Sequence, residues 1–143
     1  MKKALFLFLT SCWFGLVLGL SFIEAPLKFQ APGITTVLGL GIGKLVFGAL
    51  QKIEIVSTIL MAGLAFSFYP KMDFSLKLSM ACLIAIVLVQ GIFLFPVLMQ
   101  RADLIIAGET VASTYHHIAF VILECLKLMV LAVIFVKAYP LKL

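Results

Sequence analysis

The chain has 143 residues, of which 64% are hydrophobic and 12% charged, with a mean hydropathy of +1.27. Soluble domains run about 45–50% apolar and about 25% charged, so the composition excludes an ordinary water-soluble domain and leaves room for one membrane-embedded bundle. The net charge of +5 does not point to nucleic acid, because the lysines stand singly at the edges of apolar runs, where they anchor membrane spans.

Lys2 and Lys3 precede a first predicted span over about residues 4–23. Leu9-Thr10-Ser11-Cys12 is similar to a lipoprotein cleavage box, but the apolar run before it is very short and continues unbroken after it, so an uncleaved helix is expected. Glu24-Ala25-Pro26 is expected to end the span, since proline disfavours helix at the residue before it. Residues 27–33 (LKFQAPG) carry loop signals, a proline and a glycine. The chain is then apolar from Ile34 to Tyr69, too long for one simple span. Lys44, Gly48, Gln51 and Lys52 recur at three- and four-residue steps, which predicts one shared helix face. Two arrangements fit. Either a short interfacial helix precedes a span over about 50–69, or one over-long helix projects beyond the bilayer. Gly39, Gly41, Gly43 and Gly48 suit close helix packing in both. The GLGIG string lacks the strand and the Gly-Lys-Ser/Thr pattern of a phosphate loop.

Residues 69–73 form a predicted turn, and a third span covers about 76–98, with Gln90 inside it and Pro96 near its end. Gln100, Arg101, Asp103 and Glu109 mark a polar connection to a fourth span over about 113–136. Lys137, Pro140 and Lys142 follow it. No internal repeat stands out. The expected fold is therefore all-α: an integral membrane four-helix bundle, with residues 1–143 forming a single transmembrane domain. Cys12, Cys82 and Cys125 each lie in an apolar run without metal-like spacing and are expected to be small buried hydrophobes. Trp13, Tyr69 and Tyr115 are expected to anchor span ends.

Four spans place both termini on one side. Six basic residues (Lys2, Lys3, Lys71, Lys77, Lys137, Lys142) fall at the terminal end and four (Lys28, Lys44, Lys52, Arg101) at the other. The positive-inside bias then predicts cytoplasmic termini in a bacterial inner membrane. In that orientation Glu24, Gln51, Lys52, Glu54, Gln90, Arg101 and His117 gather towards the outer end, as candidates for binding a small solute or cation or for handling protons. His117 and Glu124 are seven apart and share a face, whereas His116 points about 100° away from His117. Glu124 and Lys127, three apart in mid-span, form a predicted buried ion pair. Glu24, Glu54, His116 and His117 are the candidates for a metal, although no Glu-x-x-His or His-x₃-His spacing occurs, and His117 is the candidate axial ligand for a haem.

Trp13-Phe14-Gly15, Ala25-Pro26 with Phe29, Val46-Phe47 with Glu54, and His117 in the last span together resemble a bacterial four-span membrane-domain family related to human transmembrane protein 205. The resemblance implies four spans and a loose link to solute export, without an established site. Three functions follow as expectations. The first is a solute- or cation-binding transporter or accessory subunit with an outer polar cavity, working as a homo-oligomer packed through Gly15, Gly19, Gly39 and Gly43. The second is a membrane enzyme acting on a lipid or quinone, with His117 and Glu54 as acid and base. The third is a structural subunit without a ligand. Besides the small solute, the partner expected in all three is the lipid bilayer.

Overall fold

The computed structural model describes residues 1–112 and 114–141; Ser113, expected to open the fourth span, and Lys142 lie outside them. Four long helices account for most of the chain: α1 Lys2–Lys28, α2 Thr36–Phe66, α3 Phe74–Ile106 and α4 His116–Ala138. Each is long and apolar enough to cross a membrane, so the protein is an all-α four-helix membrane bundle. The helices alternate in direction, and α1 and α3 each pack against both α2 and α4. Lys3 Nζ donates to the Leu141 carbonyl at 2.6 Å, tying α1 to the segment that follows α4 at the terminal end.

Residues 36–66 are one continuous helix, which resolves the choice at the second span in favour of the over-long helix. Thr35 caps it by accepting from the Leu38 N–H at 3.2 Å. Its buried face carries Gly39, Gly43, Leu50, Gln51, Glu54, Met61 and Ala65, while Lys52 is exposed. The predicted shared face of Lys44, Gly48, Gln51 and Lys52 is thus divided. Gln51 and Lys52 are neighbours about 100° apart, and burying Glu54 turns Lys52 outward.

The prolines do not end their helices. A proline cannot donate to the carbonyl four residues back, and its ring collides with that carbonyl. Here each proline is preceded by a wider, π-helical stretch, Leu18–Glu24 before Pro26 and Gln90–Leu94 before Pro96. The Ala25 N–H reaches the Leu20 carbonyl and the Phe95 N–H the Gln90 carbonyl, five residues back in each case. This shift of register carries the helix past the proline, an adjustment that membrane helices tolerate. Gln100, Arg101 and Asp103 accordingly ride on α3 and not in a connection, which begins at Ala107 and turns at Gly108 with φ +88°.

The half of the bundle nearest the termini is apolar, built on Phe6, Met61, Phe68, Leu76, Leu83 and Leu131. Phe6 and Phe68 meet edge to face at 5.2 Å there. Leu45, Ile59, Phe66 and Val136 are among the large apolar side chains on the perimeter, where lipid would cover them. Two expectations are corrected. All three cysteines lie on that outer surface rather than in the core. Trp13 is 1% exposed inside the bundle and anchors no interface.

Candidate functional site

At mid-depth the bundle buries a charged cluster. Lys127 Nζ donates to Glu54 Oε1 at 2.5 Å and to Glu124 Oε1 at 2.7 Å, and all three side chains are 0–1% exposed. Trp13 Nε1 donates to the same Glu54 oxygen at 3.1 Å. Gln90 Nε2 donates to Glu124 Oε1 at 2.8 Å, and Ser21 Oγ to Glu124 Oε2, also at 2.8 Å. Every helix contributes: Trp13 and Ser21 from α1, Glu54 from α2, Gln90 from α3, Glu124 and Lys127 from α4. Both π-helical stretches supply a member, Ser21 in one and Gln90 in the other. The widened backbone thus lies level with the polar cluster.

Above this cluster, towards the Lys28 end, a cavity of about 510 Å³ opens between the four helices. Its walls are mostly apolar and rich in rings, with Phe22, Phe47, Phe95 and Phe120 among them. Its polar groups are Ser21, Lys28, Lys44, His117 and Glu124. Lys28 pairs with Glu24 at 3.2 Å, and its ammonium lies 5.4 Å from the Phe47 ring centre and 5.7 Å from that of Phe29. Lys44 pairs with Asp103. The wall depends on two close approaches: Phe29 lies over Gly39, where a Cβ would overlap its ring, and Lys28 Nζ sits 3.2 Å from the place of a Gly43 Cβ. Gly39 and Gly43 are therefore used inside the chain and are not free for packing between copies.

The residues expected at the outer end do not share one site. Glu124 and His117 both line the cavity, two turns apart on α4. Glu54 lies about 27 Å along α2 from its first residue, deeper than the outer third, and bonds Lys127 rather than Lys44 or Lys52. It is absent from the cavity wall, so it does not meet His117 as an acid–base partner. Glu24 stays at the mouth with Lys28, and Arg101 donates to the Ala112 carbonyl. Gln90 serves the charged cluster. Gln51 is buried with Nε2 unpartnered, as are Gln90 Oε1 and His116 Nδ1 among the described residues. No group of three or more His, Cys, Asp or Glu converges among the described residues, so Glu24, Glu54, His116 and His117 do not form a ligand set.

Comparison of the chain with models of known families, with curated proteins and with solved structures finds no match. The site is therefore characterised by its own chemistry. A mostly apolar cavity has a charged floor, and Glu124 is the charged group that belongs to both, with Ser21 bonded to it on the cavity wall. Sequence reasoning paired Glu124 with Lys127 but missed Trp13, Ser21 and the second carboxylate on the same ammonium.

Proposed function

We propose that the protein is a binding or transport module that takes a small amphipathic solute into the four-helix cavity, with Glu124 meeting the solute at the floor. The observation that carries this reading is a cavity walled by all four helices whose floor reaches a fully buried charged cluster. Its volume falls within the roughly 300–1,000 Å³ of small-molecule sites, and its mixture of rings with a few polar groups is the usual lining of such sites. With both termini cytoplasmic, as the lysine distribution favours, the cavity belongs to the outer half of the membrane. Cysteine labelling at position 28 from outside intact cells, and none at position 73, is expected. The loose association with solute export of the family that the chain resembles runs in the same direction.

Photolabelling with an apolar diazirine in proteoliposomes tests the cavity. Phe120 is 7% exposed and lines it, so lipid-borne reagent reaches that residue only by entering. Labelling at Phe120 is expected, with loss in Ala102→Trp, which fills the cavity from α3, while lipid-facing Ile59 stays labelled. An unlabelled Phe120 in the wild type would remove the proposal.

A further inference from the structure

We infer that the solute is a lipophilic organic monocation, and that it exchanges with a proton on the Glu54–Lys127–Glu124 cluster. The inference rests on the cavity reading and gives its ligand a charge.

The charges at the mouth of the cavity cancel and those at its floor do not. At the mouth, Lys28 is matched by Glu24 and Lys44 by Asp103. At the floor, one ammonium serves two carboxylates, so the fully ionised cluster carries one negative charge in excess. His117 is the other titratable group on the cavity wall. An unmatched charge inside a membrane bundle is costly, and one proton or one monocation removes it. Glu124 is the member of the cluster that lines the cavity, so that is where either one arrives.

The surroundings choose between kinds of cation. An inorganic ion must replace its hydration shell with several ligands, and no group of three or more His, Cys, Asp or Glu converges among the described residues. An organic cation with delocalised charge needs only apolar contact, ring faces and a counter-charge. The cavity offers all three. Its rings already accommodate a cation, since the Lys28 ammonium lies over Phe47 and Phe29. An anion would add a second negative charge beside Glu124, and a neutral solute would leave the excess in place. Binding is thus an exchange in which the protonated cluster and the cation give the ionised cluster with cation bound plus one free proton.

Equilibrium binding to the purified full chain in detergent tests this with three probes of similar shape: tetraphenylphosphonium, tetraphenylborate and neutral triphenylphosphine oxide. The cation should bind at least tenfold more tightly than the anion. Its affinity should rise with pH, by at most about tenfold per unit, with up to one proton released per cation. Glu54→Gln removes the excess charge without touching the cavity wall. It should weaken phosphonium binding and abolish its pH dependence while leaving the phosphine oxide unchanged. Should that variant fail to fold, the cation–anion contrast in the wild type decides alone. Equal binding of all three probes would overturn the inference and leave the cavity reading standing. Binding of none, with Phe120 also unlabelled, would end both.

Discussion

Replacing Lys127 by methionine isolates the energetics of the buried cluster. The substitution keeps much of the side-chain volume and removes one ammonium bonded at 2.5 and 2.7 Å to two carboxylates, each 1% exposed. Breaking a buried pair costs about 3–5 kcal/mol, because the remaining charge is left without a partner. Here two carboxylates are left facing each other, so the loss should reach the upper end of that range. Since about 1.4 kcal/mol is a tenfold change in an equilibrium constant, a loss of about 5 kcal/mol should lower the folded-to-unfolded ratio by several thousandfold. The triple variant Glu54→Gln, Lys127→Met, Glu124→Gln removes every charge. Its amide oxygens can still accept from Trp13, Ser21 and Gln90, so its stability should lie near the wild type or above it, as for buried ion pairs replaced whole in soluble proteins. Reversible unfolding by SDS titration in mixed micelles measures both. Trp13, the one tryptophan of the chain, donates to Glu54 and reports locally, while far-ultraviolet dichroism reports globally. A single variant no less stable than the triple variant would refute the reasoning.

Three further outcomes are expected. Gly39→Ala should displace the Phe29 ring and cost about 1–3 kcal/mol by overpacking, whereas Gly41→Ala, with open space around it, should be tolerated; equal melting temperatures for the two would contradict the packing. Gln90→Leu should destabilise by roughly 1–3 kcal/mol through loss of a donor to Glu124, so a variant as stable as the wild type would mean that the bond at 2.8 Å contributes nothing. Asp73 caps α3 outside the membrane: the Leu76 N–H, with help from Lys137, holds its carboxyl below the usual carboxylate range. A depressed folded-state value means stabilisation that is present above the unfolded value and lost as pH falls through the folded one. Asp73→Asn keeps a capping oxygen but should flatten that acid-side loss in thermal unfolding, and an unchanged acid-side profile would exclude the contribution.

Hydropathy made the four spans legible, because apolar runs of membrane length rarely occur in chains that fold in water. The Glu124–Lys127 contact was legible too, since three residues on a helix bring side chains together whatever the fold. The second carboxylate was not, because Glu54 and Lys127 are 73 residues apart and meet only through the rotation of α2. The helices run past the ends that proline and polar residues suggest, so depths counted from those ends are in error. Pro26 looked like a terminus although a π-helical stretch carries α1 past it, and Gln100–Asp103 looked like a connection although polar residues can ride on a helix beyond the hydrocarbon. With the observed ends, Trp13, Glu54 and Lys127 each lie about three turns in from the terminal end of their helices, at one level. An indole N–H in the middle of a span was the available signal, for it needs an acceptor at its own depth.

The two π-helical stretches have a consequence for the architecture as a whole. Pro26 and Pro96 are 70 residues apart, and so are Glu54 and Glu124. The hairpin of α1 and α2 and that of α3 and α4 therefore repeat one plan: a proline-bearing helix with a π turn, then a helix with a buried glutamate. Both hairpins start at the same end of the bundle, so a two-fold axis relating them would run along the helices. The position matching Lys127 is Ser57. Two identical hairpins paired about such an axis would bring two lysines to the centre or none, for a formal charge of zero or two. A single lysine between matched carboxylates, with its one unit of negative charge, requires the hairpins to differ, and joining them in one polypeptide allows that difference.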